Sequence, residues 1–245
     1  FNIPFNSMKN NPWDNFSKNY NSQVTKSGDI YHKTYLNPLV LKLLGDLKNK
    51  KVLDLACGNG YFSKILAKKN AKVTGVDYSK DLISIAKENS KINFLHGSST
   101  NLHFFKNNSF DYIVSNMAFH DIKNISKTIK ECSRVIKPKQ KLIFSIVHPA
   151  FYLTKRIKED KEYFLKLKAY MSILELDHPI YEGIKHYHRP VGYYLKLLFK
   201  NKFVVSGFYE ISTKHRKGKL IKEPKLLKYK QEFPTFLVIE ATSIK

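Results

Sequence analysis

Asp54 and Asp77 bracket Gly58 and Gly60 in the stretch KVLDLACGNGYFSKILAKKNAKVTGVD, residues 51 to 77, and these four residues carry most of the chemistry legible in the chain. The glycines permit a tight turn and let a ligand approach the backbone. The amides that open the next helix at Tyr61 point at such a ligand. Asp77 stands where an adenosine ribose offers its two hydroxyls. A second set of reactive types follows: His120 beside Asp121, then His148, then His186, His188 and Arg189. A histidine near neutral pKa is the first choice of general base toward a hydroxyl, so His120 and His148 are the catalytic candidates. Arg189 suits a substrate carboxylate or phosphate. Tyr152, His188 and Tyr194 join it as substrate-binding candidates, with Phe151, Tyr181 and Tyr187 as further walls of an aromatic or lipophilic pocket. No Cys-x-x-Cys or His-x-x-x-His spacing occurs, so no metal is expected.

The elements that must position these residues follow from the apolar periods. Val52 to Leu55 reads as a strand, Phe62, Ile65 and Leu66 mark a helix, and Lys72 to Val76 is a second strand ending at Asp77. This is a nucleotide-type βαβ unit. A dinucleotide site asks for G-x-G-x-x-G, but Ser63 occupies the place of the third glycine. Asp54 would also face a doubly negative pyrophosphate, which disfavours NAD. S-adenosylmethionine instead carries a sulfonium and an ammonium, which an acid at that point favours. The competing reading is a Rossmann-like unit without a ligand.

The stretch D-L-A-C-G-N-G resembles the first motif of class I S-adenosylmethionine-dependent methyltransferases, hydrophobic-hydrophobic-Asp/Glu-x-Gly-x-Gly-x-Gly, with Ala56 in place of the first glycine. The resemblance covers about residues 30 to 245 and implies a cofactor set of Tyr31, Asp54, Ala56, Gly58, Gly60, Asp77, Tyr78, Ser98 and Asn116. Ser98 stands where relatives often place an acid on the adenine amino group. Asn116, in V-S-N-M-A-F-H-D, is where the family passes the sulfonium. Tyr31, in G-D-I-Y-H, resembles the N-terminal segment that folds over the methionine end in small-molecule members. The Asn/Asp-Pro-Pro-Tyr/Phe motif of enzymes that methylate amide or base nitrogens is missing at Asn116-Met117-Ala118-Phe119. What remains is similar to the small-molecule group that includes ubiquinone and menaquinone biosynthesis enzymes. It implies methyl transfer to oxygen, nitrogen or carbon of a small organic acceptor.

The rest of the chain keeps alternating strand and helix, which predicts an α/β, doubly wound, Rossmann-like sheet. Seven strands are expected, mostly parallel, with an antiparallel C-terminal strand and an inserted lid. Strands are expected at Ile92 to Leu95, Phe110 to Val114, Lys141 to Val147, Phe203 to Ile211 and Thr235 to Ala241, and helices at about Ile125 to Ile136 and from Pro190 through Leu198. A single domain is expected over 1–245, divided into an N-terminal cap segment (1–50), a cofactor-binding core (51–150), a substrate lid without a clean strand period (151–188) and a C-terminal helix with strands (189–245).

The net charge is +23, from 43 basic and 20 acidic side chains, and it bears on partners. It is spread as net +13 over residues 1–150 and +10 over 151–245, as amino-acid bias would leave it, which makes nucleic acid an unlikely partner. The denser run from Lys214 to Lys230 reads as a solvated loop between strands. An RNA methyltransferase using that loop is the alternative function, and a noncatalytic cofactor-binding relative is the third. Two cysteines, Cys57 and Cys132, make no disulfide framework and lead to an expected cytoplasmic location. No apolar run approaches a membrane span and no secretory leader is read. The chain opens on Phe1 rather than Met.

Overall fold

The computed structural model describes residues 11–24, 28–88, 90–152, 154–159, 162–216 and 218–245. Residues 1–10 and 25–27 of the expected N-terminal cap, 153, 160 and 161 of the expected insert, and Lys217 of the basic run lie outside the described residues.

Asn11 caps α1 (Pro12–Gln23): its side chain accepts from the Trp13 amide, and Pro12 fills the first helical position, where no amide is needed. A π-helical turn, His32–Leu36, runs into α2 (Asn37–Leu44), which buries Val40 and Leu44 and stops at Gly45. The alternating core follows: β1 (Lys51–Leu55), α3 (Tyr61–Ala67), β2 (Lys72–Asp77), α4 (Lys80–Lys87), β3 (Asn93–His96), β4 (Phe110–Asn116), α5 (Ile125–Val135) and β5 (Ile136–Val147). Ser79 caps α4 by accepting from Leu82, and Asn124 caps α5 by accepting from Lys127. A single turn, α6 (Pro149–Tyr152), leads into the insert.

The seven-stranded sheet has the order β10-β13-β5-β4-β1-β2-β3, where β10 (Phe203–Ile211) and β13 (Phe236–Ser243) close the chain. All neighbours among β1 to β5 are parallel, and β13 runs antiparallel to both β5 and β10. The chain winds from β1 toward β3 and then back across β1 to β4. That reversal opens a crevice at the carboxyl ends of β1 and β4. Strand alternation divides the core. Leu53, Leu55, Ile113 and Phe144 pack with α5 and α7 (Val191–Lys200) on one face, while Val52, Val114 and Ile143 pack with α2 and α3 on the other. The doubly wound sheet with its reversed last strand is therefore as expected.

Three segments differ from the sequence reading. β5 begins at Ile136 rather than Lys141, paired to Phe110, and then makes an excursion through Pro138 and Lys139, the latter with φ +61°, before resuming at Lys141 opposite Tyr112. The insert contains two antiparallel hairpins, β6 (Thr154–Glu159) with β7 (Glu162–Leu167) and β8 (Leu174–Asp177) with β9 (Lys185–His188). Its exposed, charged faces mask the period of two that the ladders impose. The basic run is no free loop: it holds a short hairpin, β11 (His215–Arg216) with β12 (Lys219–Leu220), and a helix, α8 (Pro224–Glu232). Ile221, Leu226 and Tyr229 are buried there, with Leu165 of the insert packed against them. No described helix is long and apolar enough to cross a membrane.

Candidate functional site

A cavity of about 640 Å³ opens at the carboxyl ends of the central strands, and the glycine turn after β1 forms its floor. Ala56, Gly58, Asp77 and Tyr78 line it from β1 and β2, Ser98 from the turn after β3, and Asn116 from the end of β4. These are six of the nine sequence-derived cofactor candidates. The turn needs left-handed backbone at three places: Ala56 at φ +56°, Gly58 at +55° and Gly60 at +71°. At Gly60 a Cβ would stand 2.6 Å from the Phe94 ring, so packing as well as φ demands glycine. Ala56 carries the strain of a Cβ in that region, about 1 kcal/mol. Ala56→Gly is therefore expected to raise the melting temperature by about 2–4 °C. Thermal denaturation followed by circular dichroism checks this, and a variant melting at or below the parent contradicts it.

Asp77 ties the two turns together. Its Oδ2 accepts from the Gly58 amide at 2.7 Å and its Oδ1 from the Ser79 amide at 2.8 Å. Burial raises its pKa, and those two amides oppose the rise. A carboxylate offers about four acceptor positions, so capacity remains toward the cavity. Asp54 stands elsewhere. It is 2% exposed, lies off the cavity wall, and accepts from the Ser63 hydroxyl at 2.6 Å. Burial pushes its pKa up to about 7. The sheet alternation that puts Val52 on the α3 side puts Asp54 there too, so it links β1 to α3 beneath the turn. Tyr31 is also away from the cavity: its ring packs on Phe236 at 5.7 Å and its hydroxyl accepts from the Gly218 amide. Gly60 shapes the turn without lining the cavity.

Asn116 is held on both sides. Its amide group donates to Asn37 at 2.9 Å, and its oxygen accepts from the Ser145 hydroxyl. Met117 follows at φ +59°, a second strained position on the cavity wall. Ser98 and Thr100 share a hydrogen bond of 2.8 Å, which sets two hydroxyls at the turn after β3.

Sequence reasoning named Tyr187 as a pocket wall but missed the rest of the opposite wall. Asn11, Trp13 and Tyr20 of the α1 region and Ile184, Lys185 and Tyr187 of the insert also line the cavity. Trp13 packs against Tyr20, His178 and Tyr181 at ring distances of 5.9, 6.1 and 5.4 Å, which joins α1 to the insert. The Asn-Pro start signal marks α1 as a helix, but nothing local to it indicates that it crosses to the sheet's carboxyl edge.

The acceptor candidates gather beside this cavity rather than within it. His120, Tyr152, His188, Arg189 and Tyr194 surround a separate void of about 10 Å³, together with His186. Arg189 is 3% exposed and donates to the Ile122 and Lys123 carbonyls at 2.7 and 2.9 Å, so it braces the loop after β4 instead of presenting its charge to the cavity. His188 donates to the Tyr170 carbonyl at 2.9 Å, and Tyr194 packs in the core against Phe144. Tyr152 lies over His186 at 4.2 Å, and burial raises its phenol to about 12. His148 bonds Glu210 at 2.8 Å and lines neither space, because β5 turns it toward β10. His120 is buried, which lowers its pKa to about 4, and it faces His186 with ring centroids 4.8 Å apart. Its neighbour Asp121 reaches the large cavity. His120, Asp121 and His186 thus converge although His186 lies 65 residues from Asp121, a spacing no short motif describes.

Comparison with known proteins gives a consistent result. A family model described as a methyltransferase domain matches residues 46–194. A demethylmenaquinone methyltransferase of Staphylococcus aureus (strain MRSA252) is 30% identical over 133 residues, 51% of this chain and 54% of that protein. The chain thus matches over about half the length of this curated relative. Among solved structures, an S-adenosylmethionine dependent methyltransferase from Mesorhizobium loti superposes with a TM-score of 0.72 at 21% identity, covering 84% of this chain and 96% of that one. The PH0226 protein of Pyrococcus horikoshii OT3 gives 0.64 at 21%, covering 94% and 98%. At these identities the structures speak for the fold.

Proposed function

The chain belongs to the methyltransferase-domain family, and on that premise we propose that it transfers a methyl group from S-adenosylmethionine to a small organic acceptor. The observation that carries this reading is the cavity at the carboxyl edge of β1 to β4, with a buried carboxylate and a strained glycine turn on one wall and aromatic rings on the other.

The residues present suit the cofactor. Asp77 retains acceptor capacity for a ribose diol, the turn at Gly58 bares backbone, and Ser98 and Thr100 offer hydroxyls for an adenine edge. S-adenosylmethionine supplies the activated methyl on its sulfonium, so the protein must align the acceptor and exclude water. Asn37 and Ser145 hold Asn116 in one orientation at the end of β4. Trp13, Tyr20, Ile184 and Tyr187 give the acceptor an apolar surface and suit an aromatic or lipophilic molecule. The S. aureus relative is named for demethylmenaquinone, an acceptor of that character. Residues 151–188 act as a lid whose β8–β9 hairpin closes on α1 through Trp13 and Tyr181. Arg189, through its bonds to the Ile122 and Lys123 carbonyls, acts from behind the cavity wall as a positioning residue, with His120 beside Asp121.

Calorimetric titration of the untagged chain is expected to show one S-adenosylmethionine bound per chain, and weaker binding of NAD. Tighter binding of NAD overturns the reading.

A further inference from the structure

We infer that His120, Asp121 and His186 form a binding site for one divalent transition-metal ion, which joins the loop after β4 to β9 of the insert. One potential ligand atom of each residue lies within 4.8 Å of the others. His186 Nδ1 is 3.2 Å from Asp121 Oδ1, and His120 Nε2 is 3.7 Å from Asp121 Oδ2. Metal–nitrogen bonds of about 2.0–2.1 Å place neighbouring tetrahedral ligands about 3.3 Å apart, so both contacts already stand near the span of a coordination shell. Rotation of the His120 imidazole closes the rest. Two imidazoles and one carboxylate suit zinc, cobalt or iron better than magnesium or calcium, which take oxygen ligands.

Further observations point to a ligand rather than to a merely packed cluster. His120 is only 6% exposed, and the nitrogen it turns to Asp121, Nε2, stands at 3.7 Å, too far for a hydrogen bond to that carboxylate. The void beside His120 and His186, about 10 Å³, is close to the volume that one small guest needs. Tyr152 lies over His186 and limits its ring motion. Three protein ligands leave open positions on the ion, and Asp121 already lines the large cavity. A single carboxylate offsets the ion's charge and Arg189 lies close by, so the dissociation constant is expected to be on the order of micromolar rather than that of a four-ligand structural zinc site. The ion would pin the insert to the core without any cofactor, which makes the site independent of the methyl-transfer reading.

The test uses the untagged full chain, stripped with chelator and free of S-adenosylmethionine. Titration with Co²⁺, followed by visible absorption, and with Zn²⁺, followed by calorimetry, is expected to show one ion per chain. His186→Ala and Asp121→Asn should each weaken binding by at least about tenfold, while His103→Ala, outside the cluster, leaves it unchanged. Circular dichroism verifies that each variant is folded, and His186→Gln replaces any variant that is not. A wild-type chain that binds no stoichiometric ion below about millimolar concentration overturns the site. So does binding that survives undiminished in His186→Ala or His186→Gln.

Discussion

Asp77→Ala is expected to weaken S-adenosylmethionine binding by about 1.5–3 kcal/mol, roughly 10- to 150-fold. Two losses combine. The charge-assisted bonds to the ribose hydroxyls disappear, and the Gly58 and Ser79 amides lose the acceptor that holds the turn in its ligand-ready shape. Asp77→Asn keeps one acceptor oxygen and should fall between the variant and the parent. Calorimetry on all three proteins measures the series, with melting temperatures to separate loss of binding from loss of fold. Unchanged affinity in a folded Asp77→Ala protein would remove Asp77 from the cofactor site.

The second large effect concerns pH. Asp54 titrates near 3.8 when exposed but at about 7 in the buried native site, chiefly because burial disfavours its charge; the nearby Asp77 adds to the rise and the Ser63 hydrogen bond opposes it. Between those values the unfolded chain has released the proton that the native chain still holds, so native stability falls as pH rises. The fall amounts to about 4 kcal/mol over the window from pH 4 to 7 and levels off above it. Asp77 is raised in the same direction and contributes with the same sign. Asp54→Asn accepts from Ser63 without titrating, so its stability should lose much of this slope. Urea denaturation of both proteins at pH 5 and 7.5 measures the difference. Equal slopes would show that Asp54 does not change charge in the folded chain over this range.

The glycine turn that lines the cavity was legible because its signals are local. An apolar run, two glycines and an acid within 27 residues specify a strand, a turn and a helix whose geometry is set by nearest neighbours along the chain. Each strand of the sheet was visible for the same reason, including the final pair, of which β13 is reversed. The insert hairpins were not, because β6–β7 is mostly exposed and the face that β9 buries carries His186 and His188, which give no apolar alternation. The run from Lys214 to Lys230 read as solvent-facing, since Leu226 and Tyr229 show their burial only once Leu165 of the insert is beside them.

The acceptor side shows the limit most clearly. Sequence alone determined that the chain folds as a doubly wound sheet and that Gly58 and Asp77 flank the turn at its carboxyl edge, because strand and helix periods and a short turn motif encode those placements; Ser98 and Asn116 came from the family resemblance, and the structure sets them on the same cavity. The sequence also picked out His120 and His148 as reactive types at strand ends, Arg189 as an anion clamp at the close of the insert and Tyr152 as a pocket wall. Only the tertiary structure decided which way each points: Arg189 turns onto backbone carbonyls, His148 onto Glu210, and His120 toward Asp121 and His186. Trp13 and Tyr20 likewise reach the cavity only because α1 crosses to the sheet edge and packs on the insert. These contacts join residues 60 to 170 positions apart, and their directions follow from how whole elements pack, information that no local pattern carries.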